Sequence, residues 1–307
     1  MRKKQYVAFF LFILFLPTVI FAHTSNDPYY SQWGFEDTGV YKAWASVVGS
    51  RDVVVAVVDN GFDHFHPDLR LNAWQNKDEI ARNNIDDDNN GYVDDVWGWN
   101  FIPEDVNGDG KIDEQEKRGN NNPRPGSLEI DEEDLDKGVV HHGTLVAGLI
   151  GAVGNNDLDG AGVNWNVRLM NLKIVDNSGL GDLDGLAKAI NYAVDNGADV
   201  INISMVGSGS SLGLDQAIAR AYEEGIAIVA AAGNGNIALD YSPLYPVCSD
   251  ADLNIEQVLG VSAIEESHRI AYFSNNGSSC IDITAPGVNV SSTKRFSPKD
   301  GLVSRYG

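Results

Sequence analysis

The 307 residues predict an α/β fold of three layers, a mostly parallel central sheet with helices on both faces. Three observations carry that expectation. Short runs of β-branched and apolar residues recur from residue 52 onward, stretches with helical spacing fall between them, and glycines stand where those helices must stop. The runs are continuous rather than alternating, which is what a strand buried on both faces requires.

In chain order the strands are read at 53–59, 167–175, 199–205, 226–232, 258–263 and 281–285. Between the second and third, Leu186, Ile190 and Val194 recur at helical spacing, and Gly197 stands where a C-terminal cap is wanted. The segment LDQAIARAYEEG repeats the design, closed by Gly225. A further helix is expected to start near the pair His141 and His142. Residues 70–138 are polar, acidic and rich in Asn and Gly, and read as an insertion of loops within one domain, 23–307, rather than as a separate core.

Ahead of the domain, residues 1–22 have a basic start (Arg2, Lys3, Lys4), an apolar run from Val7 to Leu16 and a small residue at Ala22. That is the layout of a secretory signal cleaved after Ala22; the run is too short for a membrane span. The expected location is therefore secreted or cell-envelope, without stable membrane insertion. Export permits a disulfide, and Cys248 and Cys280 form one bridge or remain two buried thiols.

The formal charge of −22 repels nucleic acid and anionic membranes and attracts cations. Residues 78–136 hold nineteen of the 44 acidic residues against five basic ones. Within them DVNGDGKIDEQE matches the calcium-loop pattern: Asp105, Asn107, Asp109, Gly110 at the sharp turn, the Lys111 carbonyl, Asp113, and Glu116 as bidentate ligand. Acids at alternate positions wrap oxygens around one point, which suits Ca2+. No long helix can follow in KRGNNNPRPG, so the loop stands alone. A second cluster starts the same pattern with Asp86, Asp88, Asn90 and Gly91 but has Trp97 at the bidentate position, leaving Asp94 or Asp95 to complete it.

The first strand ends in Asp59, where open α/β sheets hold their sites. His142, followed by the small Gly143 and Thr144, can bring an imidazole to the same crevice. An Asp that accepts the proton of one ring nitrogen fixes the tautomer and frees the other nitrogen as a general base.

Asp59 in VVDNGFD, His142 in HHGTLVAG, the strand VINISM, Asn234 in VAAAGNGN, and FSNNG with ITAPG resemble the subtilisin-like serine proteases, most of all their calcium-rich, thermitase-type members. The resemblance runs from about Asn26 to the end of the chain. It implies a serine endopeptidase with polypeptide substrates, acting as a monomer. Asp59 would orient His142, the base, and Asn234 would donate to the oxyanion. Ser204, Met205, Val206 and Gly207, with Ala231, Ala232 and Gly233, would flank the pocket for the residue before the scissile bond, and Met205 points to a non-polar preference. It further implies a calcium site from Asp27, Asp68, the Val153 carbonyl and Asn156, with Asp159 as an extra candidate, and leaves Tyr245–Pro246 as a candidate cis peptide.

Two departures accompany the matches. The family's serine sits in a Gly-Thr-Ser-Met-Ala motif on a central buried helix, and the 307 residues contain no Gly-Thr-Ser; Ser304 lacks the flanking pattern. The expectation is a truncated domain that lacks its nucleophile, folds poorly and exposes an apolar cleft, or a catalytically inactive calcium-binding remnant. There is also no room for a propeptide between Ala22 and NDPYYSQWG.

Two rival chemistries compete. HFHPD (His64, His66, Asp68) with His141 and His142 partly matches a zinc hydrolase. GSSLG (209–213) matches an esterase elbow with Ser211 as nucleophile, although it does not follow a strand end directly.

Overall fold

The computed structural model describes residues 24–105, 109–126, 138–176, 178–251, 253 and 255–294. Residues 1–22, Asn107 and Ser304 lie outside them. Seven parallel strands form one sheet in the order β2-β3-β1-β4-β5-β6-β7. They are β1 (Gly49–Asp59), β2 (Gly98–Asn100), β3 (Asn166–Lys173), β4 (Val200–Ile203), β5 (Ala227–Ala231), β6 (Val258–Ile264) and β7 (Ile283–Pro286). The helices are α1 (Trp33–Asp37), α2 (Val40–Trp44), α3 (Gly138–Gly151), α4 (Leu183–Asp195) and α5 (Leu212–Glu223).

Side chains of β1 point alternately to the two faces, and both faces are covered. Val54, Ala56 and Val58 pack with Leu186 and Ile190 of α4 and with Leu214 and Ile218 of α5, while Val55 and Val57 pack with Ala147 of α3. Each such valine, leucine or isoleucine, fully buried, contributes roughly 1.5–3 kcal/mol. The two amphipathic helices are capped as their sequences demand: Asp182 accepts from Gly185 N at 2.6 Å and Ser211 from Leu214 N at 3.2 Å. Gly197 and Gly225 follow the helix ends with φ of 68° and 75°.

Coverage is uneven. Across β4 to β7, the face opposite α4 and α5 is only partly screened by the described residues, with Leu259 39% and Ile283 48% exposed.

The long insertion differs from expectation in one respect. It contributes β2, which pairs with β3 through Gly98↔Asn171 and Asn100↔Lys173 and so extends the sheet. A three-residue strand shows too little periodicity to be read from sequence. Cys248 and Cys280 are joined in a disulfide, and the Tyr245–Pro246 peptide is cis.

Candidate active site

In this strand order β1 lies between β3 on one side and β4 on the other, so the connections diverge at its C-terminal end and open a crevice there. Asp59 is the last residue of β1 and is buried. His142 lies just past the first turn of α3 and brings Nδ1 to 2.8 and 2.9 Å from the two Asp59 carboxylate oxygens. Asp59 is 3% exposed and His142 48%, so the carboxylate is locked in the protein while the imidazole reaches solvent. The hydrogen bond to Asp59 holds the His142 pKa above its ordinary value, against the opposing effect of desolvation.

Neighbouring amides hold this pair in place. Asn60 Oδ1 accepts the Gly143 N–H at 2.8 Å, fastening α3 to the turn after β1. A Cβ at Gly143 would lie 2.3 Å from the Gly61 carbonyl oxygen, so only glycine permits the approach. Asn171, fully buried on β3, donates to the Phe62 carbonyl at 2.7 Å and accepts from the Phe62 N–H at 3.0 Å. His141 is buried beside the pair.

The other expected site segments leave the same sheet edge. Ser204 to Gly207 follow β4, and Ala232 to Asn234 follow Ala231 at the end of β5. Met205, Val206 and Gly207 line a cleft of about 360 Å³ with Leu180, Leu183 and Tyr245. Gly207 is bridged to Tyr245, while Ser204 Oγ accepts from Asn202. Asn234 is exposed, and its carboxamide has no hydrogen bond among the described residues.

Its loop is held by Asn275 of the FSNNG segment, whose supporting role no local sequence pattern marks. Asn275, 1% exposed, donates to the Ala232 carbonyl at 2.7 Å and accepts the Gly235 and Ile237 N–H groups at 2.9 Å. Gly233 has φ +94°, and a Cβ there would meet Asn275 and Val206 at 2.7 Å, so the turn requires glycine.

The acidic residues gather in three places. Near the N-terminus, Asp27 accepts from the Asn156 N–H at 2.9 Å, and Asp68 accepts from Asn156 Nδ2 at 2.8 Å. Val153 N–H donates to the Asp68 carbonyl, placing all four expected residues together. Burial raises the Asp68 pKa to about 7, and the neighbouring Asp159 and Asp27 add to the rise.

In the 86–95 cluster, Asp86, Asp88 and Glu79 each bring a carboxylate oxygen within 4.8 Å of the others. Asp94 is turned instead to the Asn83 and Asn84 amides, and Asp95 takes hydrogen bonds from Asn76, Asn90 and Tyr192. Asn90 donates to Asp88 as well. Glu79 was not among the residues expected from sequence, because it lies ahead of the loop pattern. Burial is the main cause that raises its pKa, with Asp95 and Asp88 contributing.

In the third group, Asp105 accepts the Asp109 and Gly110 N–H groups at 3.2 and 2.7 Å, Asp109 accepts from Lys111, and Glu116 accepts from Asp113 at 3.0 Å. Gly110 has φ +78°, and Glu116 is buried although the loop around it is exposed. These all-oxygen donor sets fit a hard cation such as Ca2+ better than zinc, which prefers nitrogen and sulfur.

Both rival chemistries lose their residues. His64 stacks on Trp97 with centroids 5.0 Å apart, its pKa driven down to about 3 mainly by burial and further by Arg124. His66 Nδ1 accepts from the Asp68 N–H, and His142 is committed to Asp59, so the histidines do not converge. Ser211 caps α5 and is no elbow nucleophile.

Comparison with known proteins agrees with this geometry. The Subtilase family profile matches residues 50–306. The chain is 32% identical over 274 residues to a thermophilic serine proteinase of Bacillus sp. (strain AK1), covering 89% of this chain and 53% of that protein. It is 31% identical over 274 residues to thermitase of Thermoactinomyces vulgaris, covering 88% and 76%. It is 33% identical over 270 residues to halolysin of Haloferax mediterranei, covering 87% and 41%. The chain thus spans about half the length of the first of these relatives and less of the third. A solved protease structure from Pseudoalteromonas arctica PAMC 21717 superposes with a TM-score of 0.62 at 29% identity, covering 92% of this chain and 76% of that one. With the parallel sheet and the Asp59–His142 pair at its switch point, these matches establish that the chain belongs to the subtilase family.

Proposed function

We propose that this protein is an exported, calcium-binding serine endopeptidase in which His142 is the general base, Asp59 fixes its tautomer and Asn234 donates to the oxyanion. The observation that carries the reading is the doubly contacted Nδ1 of His142, which leaves Nε2 as the proton acceptor on the solvent side. In the reaction a serine hydroxyl attacks the peptide carbonyl, Nε2 takes its proton, and the resulting imidazolium returns it to the leaving amine. The buried Asp59 stabilises that imidazolium through the same hydrogen bond. The exposed amide of Asn234 is free to meet the negative oxygen, on a loop whose backbone Asn275 holds.

Polypeptide substrates enter along the cleft beside Met205, Val206 and Gly207, whose apolar lining favours a non-polar residue. Calcium is held by Asp27, Asp68, Asn156 and the Val153 carbonyl, by Glu79 with Asp86, Asp88 and Asn90, and by Asp105, Asp109, Lys111, Asp113 and Glu116. There it supplies positive charge that these carboxylates otherwise lack. Export is supported by the composition of residues 1–22 and by a 32% identical relative of Natrialba magadii named as a halolysin-like extracellular serine protease. No helix among the described residues is long and apolar enough to cross a membrane.

A second reading, a non-catalytic calcium-binding relative, rests on the carboxylate groups alone, such as Glu79 with Asp86 and Asp88. One experiment separates the two. The protein made from its own gene is treated with a fluorophosphonate probe and assayed on an unfolded protein substrate. Labelling and hydrolysis, both lost in His142→Ala, support the peptidase; neither labelling nor hydrolysis supports the second reading.

A further inference from the structure

The pole of the sheet opposite the crevice carries a concentration of positive charge that runs against the rest of the molecule. Arg51 at the start of β1, Arg168 at the start of β3, and Arg70 and Lys77 from the intervening loop line a pocket of about 480 Å³. The chain has a formal charge of −22, yet the pocket has four cations against one carboxylate, Asp52. Among the described residues none of the four forms an ion pair. Elsewhere among the described residues six cations do (Lys117, Arg124, Lys173, Lys188, Arg220 and Arg269), and Lys42, Arg82, Lys111, Arg118 and Lys294, which do not, are absent from this pocket's lining.

Two of the guanidinium groups are positioned by backbone carbonyls instead of acids. Arg168 Nε donates to the Arg51 carbonyl at 2.7 Å and its NH2 to the Asp52 carbonyl at 3.0 Å. Arg51 donates to the Leu71 carbonyl and to Asn72 Oδ1. Neutral acceptors orient a guanidinium without cancelling its charge, so both groups are held ready with unused donors. The floor is firm, because residues 72–74 are hydrogen-bonded to Leu169 in both directions. Arg70 and Lys77 are exposed at the rim and have no side-chain hydrogen bond among the described residues.

We propose that this pocket binds an anionic ligand bearing closely spaced sulfate or phosphate esters. Three forked guanidinium groups and one ammonium suit several tetrahedral oxyanions at once, and the pocket is larger than a single such anion needs. β1 rises about 3.3 Å per residue, so Arg51 and Asp59 stand roughly 25 Å apart. A ligand here leaves the crevice clear, and the inference does not depend on the catalytic reading. A polymer carrying such esters would hold the molecule by this pole.

The test is calorimetric titration of the full, calcium-loaded chain with sucrose octasulfate at about 0.1 M ionic strength, where charges beyond ~10 Å are largely screened. Saturable one-to-one binding is expected, weakened at least about tenfold in Arg70→Gln/Lys77→Gln with the melting temperature unchanged. These two positions are chosen because Arg51 and Arg168 also support the backbone. Hydrogen exchange on the unmodified protein supplies a footprint that needs no substitution, expected at 51–52, 70–77 and 168. Dextran sulfate is expected to compete with octasulfate. A much higher affinity per site for the polymer marks a polymer as the natural source, and equal affinities mark a small ester. The proposal is overturned by non-saturable binding, by equal affinity in the double variant, by a footprint elsewhere, by lack of competition from dextran sulfate, or by inorganic sulfate competing as well at equal charge.

Discussion

The crevice and the acidic insertion both depend on carboxylates, and they satisfy them in opposite ways. In the crevice Asp59 is buried with a histidine against it, and every supporting amide, from Asn60, Asn171 and Asn275, meets a backbone partner. In the insertion Glu79, Asp86 and Asp88 face one another, and among the described residues only neutral amide and N–H donors relieve them. The difference teaches where a ligand is needed. A carboxylate hydrogen-bonded to a histidine is satisfied within the chain, whereas carboxylates that share one space repel one another, which is the setting in which a bound cation is proposed.

The largest effect is expected in the crevice: Asp59→Asn leaves the shape intact but favours the wrong histidine tautomer, lowering kcat about 10⁴-fold. A drop accompanied by an equal fall in melting temperature would show that Asp59 is structural. Asn234→Ala is expected to lower kcat by about 10²–10³-fold with KM nearly unchanged, as for loss of one oxyanion donor. A pure rise in KM would move Asn234 from the oxyanion to ground-state binding.

The insertion should respond to metal instead. Chelation is expected to lower the melting temperature, since calcium at a hundred times its Kd stabilises by about 2.7 kcal/mol per site. Glu79→Gln should shrink that calcium-dependent shift and leave the His142 titration alone. A Glu79 variant with an unchanged calcium shift would remove Glu79 from the site.

The smallest expected effect concerns pH. His142 has its pKa raised by Asp59, so on acidification the base becomes protonated, and hydrolysis falls, at a higher pH than for an unpaired histidine. The linkage sign follows: the imidazolium–carboxylate pair adds stability below the unfolded histidine pKa of about 6.5, and that addition is lost as pH rises through the raised value. Half-exposure of the ring keeps the term small. An NMR titration of His142 that is unchanged by Asp59→Asn would contradict the pairing.

The parts legible in the sequence were those written locally. Asp59 is marked by the end of a continuous apolar run, His142 by the small residues that follow it, and the two amphipathic helices by spacing and closing glycines. What sequence hid depends on contacts made at a distance. Asn275 supports a loop some 40 positions earlier, and Glu79 joins acids beyond the reach of the calcium-loop pattern. The short β2 acquires its identity only by pairing with β3. No local periodicity encodes such partners. The apolar character of the strands likewise left open how evenly the sheet is covered. Leu259 and Ile283 lie within two of the continuous apolar runs, yet they are substantially exposed among the described residues.

His142, aligned by Asp59, is proposed as the base of a peptide-bond hydrolysis. The most direct measurement is the rate at which the calcium-loaded protein, made from its own gene, cleaves an unfolded polypeptide, compared with His142→Ala of matched melting temperature. A loss of at least about 10⁴-fold in kcat is expected if His142 is that base. Equal rates from the two proteins would contradict it.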